Sequence, residues 1–163
     1  MKLKQCQPTE VLADWPVINE RIEMKLLKPK WHETPRYWPI IEGWVDGALQ
    51  HGGVSLYPRD IYDGLVSRNM KLWLVAEGDD IRACCVTQLV NYQRMRCLNV
   101  LVVGGQELDN WHHFYSELED HAGLLDCDGV EFGGRNGWHK KATEYGFKPV
   151  MVIYRKMLSN GQG

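Results

Sequence analysis

The eight residues from Arg96 to Val103, RCLNVLVV, constrain this chain more than any other stretch. Their second half is almost continuously aliphatic and β-branched, the composition of a central strand covered on both faces. The next thirty residues narrow the choice of fold. Gly104-Gly105 breaks the strand, and residues 109–125 carry an apolar stripe of Trp111, Tyr115, Leu118, Ala122 and Leu125 at helical steps. Cys127-Asp128-Gly129 then turns the chain into a short buried strand, Val130 to Phe132. A strand, a helix and a strand in this order place the two strands parallel, joined by a crossover helix.

The flanking sequence fills in the rest. Residues 71–77 (KLWLVAE) and 81–90 (IRACCVTQLV) predict an antiparallel hairpin turning at Gly78-Asp79-Asp80, with NYQRM leading into the central strand. Before Asn69 the pattern is helical. Val11, Trp15, Ile18, Ile22 and Leu26 predict one helix face, opened by Thr9 and stopped by Pro29, and residues 3–7 predict a short strand. Residues 29–39 hold three prolines and read as a loop. A second helix is expected from Pro39, with Ile41, Trp44, Val45 and Ala48 inward, and a third from Pro58 to near Asn69. Trp138 to Tyr145 predicts a short helix capped by Gly146, and Pro149 to Met157 (PVMVIYRKM) a last strand. The expected architecture is one α/β (α+β) domain over residues 1–158, helical at 9–69 and sheet-rich at 70–157, with a flexible tail at 159–163.

Composition excludes several functions. A net charge of −2 gives no drive toward nucleic acid, which needs concentrated Lys and Arg. No apolar run approaches the roughly 20 residues of a membrane span. The start, MKLKQCQPTE, lacks the apolar centre of a signal peptide, so a cytoplasmic protein is expected. Five cysteines, two of them adjacent and none in a C-x-x-C, suggest neither a disulfide framework nor a zinc site. His112 and His113 are adjacent on an expected helix, point in different directions, and so do not share a metal. No metal site is expected. Trp15, Trp31, Trp38, Trp44 and Trp73 crowd the first half, which must bury large rings or present them to a partner.

The stretch from Gly129 to Pro149 combines a short strand, a Gly-rich turn, a brief helix and a Gly146-Phe147 corner. With the strands before it, this order resembles the GNAT superfamily of N-acetyltransferases over about residues 70–157. Residues 133–150, GGRNGWHKKATEYGFKPV, look like the matching segment of short phage-encoded acetyltransferase-like proteins. The resemblance implies a mixed sheet: antiparallel strands first, then a parallel pair at the cofactor cleft, with flanking helices. It also implies acetyl-CoA as co-substrate. Its pantetheine arm would pair with the strand backbone at Val102 and Val103. Its pyrophosphate would lie on the N–H groups of Gly104, Gly105 and Gln106 and the loop through Asp109, at a helix N-terminus. Arg135 and Lys140, with Lys141 beside them, would reach the phosphates from across the cleft.

The chain also departs from the family pattern. The Q/R-x-x-G-x-G/A signature is absent, and Glu107 and Asp109 bring carboxylates to the phosphate loop. Ala142 stands where many members carry a proton-donating Tyr. Tyr145 is then the candidate acid and Glu131 the candidate base. Competing structural readings remain open: packing for Tyr145, and an ion pair with Arg135 or Lys148 for Glu131. Gly104-Gly105 also fits a plain turn, and the basic trio a solvated face. Three functions are compatible with these residues. One is acyl transfer from acetyl-CoA to the amine of a small molecule or protein. Another is a catalytically silent phage protein, virion-associated or serving assembly, located in host cytoplasm or packaged in the virion. The third is binding of a host protein through Trp31, His32, Tyr37 and Trp38.

Overall fold

The computed structural model describes residues 23–52, 55–106 and 114–159. Its centre is a five-stranded sheet in sequential order: β1 (Met24–Leu27), β2 (Met70–Glu77), β3 (Asp80–Asn91), β4 (Arg96–Gly105) and β5 (Gly129–Phe132). The first four strands pair antiparallel, and β5 runs parallel to β4. This is the mixed sheet expected from the sequence. Helices α1 (Thr34–His51) and α2 (Pro58–Val66) precede the hairpin, α3 (Tyr115–Leu124) crosses from β4 to β5, and α4 (His139–Glu144) follows β5.

The strands are apolar on both sides because both faces are covered. Leu72 and Leu74 of β2, Cys84 and Val86 of β3 and Val102 of β4 share one cluster with Ile41, Val45 and Leu49 of α1 and Ile61 and Leu65 of α2. Their neighbours Trp73, Cys85 and Leu98 point to the opposite face, under Leu118 and Ala122 of α3. The two-residue period of a strand sends alternate side chains to each layer. It also separates the adjacent thiols of Cys84 and Cys85. Burial pushes Cys84 up to about 12 and raises Cys85 as well, so both stay protonated thiols in the core. Across the second layer the Trp73 indole Nε1–H donates to Thr87 Oγ1 at 2.9 Å, both residues being 1% exposed.

Four expectations need correction. Leu26 lies in β1, paired with Val75, rather than on a helix; the preceding positions of that predicted helix, and the strand predicted at 3–7, lie outside the described residues. Residues 31–39 are helical instead of a loop, and only 29–30 are irregular. A 3₁₀ turn at Trp31–Glu33 leads into α1, which begins at Thr34 rather than Pro39. Pro35 sits in the first turn, where no N–H is required, while Pro39 lies inside the helix and forgoes the bond to the Pro35 carbonyl, a cost offset by the packing of Ile41, Val45 and Leu49 on the sheet. Gly104 and Gly105 do not break β4; they pair with Cys84 and Ala83 as its last two residues. Finally, no strand forms at 149–157. The segment finds no ladder partner, and residues 148–159 are exposed throughout. Among the described residues no helix is long and apolar enough to cross a membrane.

Candidate functional site

The site begins with an irregularity in β4. Its register with β3 steps from Val86↔Val102 to Thr87↔Val100, which leaves Leu101 as an extra, unpaired residue. Such a bulge bends its strand and increases local twist. On the other side of β4, pairing with β5 ends at Val100↔Phe132, next to the same residue. Beyond it β4 runs on to Gly105 with no strand alongside among the described residues. Pairing of the two parallel strands therefore ends beside the bulge, where β5 itself ends. Backbone groups of β4 that face the gap need a partner from elsewhere.

A cavity of about 470 Å³ occupies the gap, within the range of small-molecule sites. Val100, Leu101, Val103, Gly104 and Gly105 of β4 form one wall. Trp44, Gly47 and His51 of α1 close it on one face of the sheet, and Tyr115 and Leu118 of α3 on the other. The far wall is Phe132, Gly133, Gly134 and Arg135, then Trp138, Lys141, Ala142, Tyr145 and Phe147. Aromatic contacts hold that wall in place. Phe147 meets Phe132 edge-on at 4.9 Å and Tyr115 at 5.3 Å, and Tyr145 lies 5.8 Å from Tyr115. Gly146, at φ +82°, provides the left-handed cap that turns the chain from α4 into Phe147, as its position in the sequence predicts. Burial, reinforced by the charge and hydrogen bond of Glu119, raises the Tyr115 phenol, so it is a neutral hydroxyl.

Gly104 and Gly105 have packing reasons of their own. A Cβ on Gly104 would stand 2.9 Å from both Cβ and the carbonyl oxygen of Trp44, so α1 rests on β4 at van der Waals distance only because that side chain is absent. Gly105 adopts φ +133°, and a Cβ there would collide with the Arg82 carbonyl and Ala83. The pair therefore lets a helix and a neighbouring strand approach the mouth of the gap.

Compared by sequence, the chain matches no family model and no curated protein. Compared by structure, it matches solved acetyltransferases along nearly their whole length. A GCN5-related N-acetyltransferase from Ralstonia eutropha superposes with a TM-score of 0.65 at 7% identity, over 83% of this chain and 99% of that one. A predicted acetyltransferase from Clostridium acetobutylicum, solved with acetyl-CoA, gives 0.61 at 11% identity, over 86% and 100%. An aminoglycoside acetyltransferase from an uncultured soil metagenomic sample, solved with sisomicin, gives 0.61 at 9%, over 83% and 97%. The chain has the GNAT fold.

Within this GNAT cleft the sequence-predicted site residues divide. Val103, Gly104, Gly105, Arg135 and Tyr145 line the cavity. Val102 is 1% exposed and belongs to the core under α1, and Lys140 is exposed outside the cavity lining while Lys141 is within it. Gln106 caps the strand end: its N–H donates to the Arg82 carbonyl at 2.8 Å, and its Oε1 accepts from Arg82 Nη1 at 3.0 Å. Glu131 is outside the lining as well. Its carboxylate accepts a 2.7 Å hydrogen bond from Tyr92 Oη. Glu107, Leu108 and Asp109 lie outside the described residues.

The contributions of α1 and α3 escape a reading of the sequence. Periodicity places Trp44 in a helix interior and Tyr115 in an apolar stripe, and both also face the cavity. His51 carries no signal, because nothing in its neighbourhood marks it before α1 is known to run this far. His51 supplies the one imidazole among the residues lining the cavity.

Proposed function

We propose that this cleft takes acetyl-CoA and passes the acetyl group to an amine. The coincidence of the Leu101 bulge with the end of β4–β5 pairing carries the reading, because it opens an apolar gap beside unpaired strand backbone. Bound acetyl-CoA supplies a thioester carbon to which the amine nitrogen bonds as the carbon–sulfur bond breaks. Backbone N–H groups of β4 beyond Val100, where pairing with β5 has ended, would donate to the acyl carbonyl and stabilise the charge that develops on its oxygen. His51 takes the proton the amine loses, and the departing thiolate takes its proton from solvent, because burial and the hydrogen bond to Glu119 make the Tyr115 phenol a weaker acid than an ordinary tyrosine. Arg135 and Lys141 hold the phosphates electrostatically.

The test is release of free thiol from acetyl-CoA across a panel of amines, with aminoglycosides and peptide amines first. Turnover with wild-type protein, reduced about 100-fold or more in His51→Gln with acetyl-CoA affinity intact, is the expected result. Unchanged turnover in His51→Gln would sink the assignment of that residue. Ala142 favours a second reading. It faces the cavity from α4 with no hydroxyl to give, as in a GNAT-fold protein that binds without turning over. Binding of acetyl-CoA with no thiol release from any amine would favour that silent role, with virion association as its phage setting.

A further inference from the structure

Three basic side chains converge on one buried indole. Lys28, just past the end of β1, holds its Nζ 5.5 Å from the centroid of the Trp73 ring, and Lys71 of β2 holds its own at 4.9 Å. His121 of α3 meets the same ring edge-on at 5.0 Å. Trp73 is 1% exposed, whereas Lys28 is exposed and Lys71 and His121 are half-buried, so the cluster lies where the second layer meets solvent. None of the three lines the cavity.

Folding brings these groups together at a cost. Like charges repel, and an indole face attracts each cation only weakly. Glu117 of α3 pairs with Lys28 at 3.0 Å, but both side chains are nearly half exposed, and such a pair holds little energy. No carboxylate among the described residues pairs with Lys71. Thr87, opposite Lys71 in β3, is engaged by the indole N–H and adds no charge. The crowding acts on the basic groups themselves. Burial and then Lys28 lower Lys71, and burial followed by Lys71 and Lys28 lowers His121 below the usual 6.5.

We propose that Lys28, Lys71 and His121 bind the phosphoryl group of a small anionic ligand. Two ammonium groups match the two charges of a phosphate dianion, and the neutral imidazole offers one directional N–H to a remaining oxygen. The bound anion turns the mutual repulsion of the three groups into shared attraction. Lys28 exchanges a solvent-exposed partner for the ligand. Two lysines and one imidazole are too few to hold a nucleic-acid backbone, in keeping with the net charge of −2. The site stands apart from the cleft and does not depend on acetyl transfer.

The experiment is an NMR titration of the full chain with inorganic phosphate at neutral pH and fixed ionic strength. It reads the His121 ring signal, identified by its loss in His121→Asn. The expected result is a saturable shift with half-saturation at about 1 mM or below. Lys71→Met should weaken it at least about tenfold, Lys71→Arg should retain it, and chloride at equal ionic strength should give no saturable change. Glycerol phosphate run in parallel separates an organic phosphate from the free ion, and saturable binding of either supports the site. Lys28→Met, at an exposed side chain, should also weaken binding and carries the test if Lys71→Met fails to fold. A linear response shared with chloride would overturn the proposal. So would equal phosphate affinity in wild type and the lysine variants.

Discussion

Replacing Thr87 by Val tests the packing that sets the bulge beside the cleft. Thr87 pairs with Val100, the last β4 residue before the extra Leu101, and its hydroxyl accepts the buried Trp73 Nε1–H at 2.9 Å. Valine has nearly the same shape but no acceptor. The indole N–H, on a residue 1% exposed, would have no water to turn to. Leaving a buried donor unsatisfied costs about 1–3 kcal/mol, and the added methyl group returns up to about 0.8 kcal/mol. The net loss should be about 1–2 kcal/mol, which for a chain of this size lowers Tm by roughly 3–8 °C. Urea unfolding followed by circular dichroism measures it. Trp73→Phe removes the donor, and the double variant should recover about 1 kcal/mol relative to the sum of the single losses. A Thr87→Val variant as stable as wild type, or strictly additive losses, would refute the reasoning.

Three further outcomes are expected of the same structure. His121 packs edge-on against Trp73 at 5.0 Å, and burial together with Lys71 and Lys28 lowers its pKa below the usual 6.5. The unfolded chain therefore binds the proton first, so stability falls as pH drops from 6.5 toward the lowered folded value. His121→Asn should flatten that slope in pH-dependent melting, and an unchanged slope would contradict it. Arg135→Ala and Lys141→Ala should each weaken acetyl-CoA binding about 5–10-fold, with weaker dependence on salt; calorimetry at two ionic strengths would show otherwise if affinity held. Gly105→Ala should destabilise the fold by about 1–3 kcal/mol through its φ of +133° alone, and a neutral effect on Tm would show that β3 and β4 relax there.

Much of the fold is legible in the sequence because it rests on period and composition. The two-sided strand at 96–103, the 71–90 hairpin and the parallel strand at 130–132 all carry local apolar signals strong enough to survive burial on both faces. The elements that were missed depend on partners. The apolar run at 149–157 looks like a strand, but a strand exists only when something pairs with it. Pro35 and Pro39 look like breakers, but Pro35 falls in the first turn of α1, where helices tolerate it, and Pro39 lies inside a helix that packing on the sheet sustains. The site is half legible. The cleft is implied by family likeness, while the bulge beside it lies in a register no single sequence displays. Glycines at 104 and 105 attract a phosphate-binding reading, whereas the contacts with Trp44 and Arg82 supply packing reasons. A Gly105→Asp change, which from sequence looks like a probe of the cofactor loop, would instead disturb β3.

The central claim is that the gap opened at Leu101 is a site for acetyl-CoA. Calorimetric titration of the full chain with acetyl-CoA tests it most directly, with thermal shift measured in parallel. The account predicts saturable binding near micromolar Kd, about −8 kcal/mol, weakened in the Arg135 and Lys141 variants. No heat and no thermal stabilisation at millimolar acetyl-CoA would contradict it.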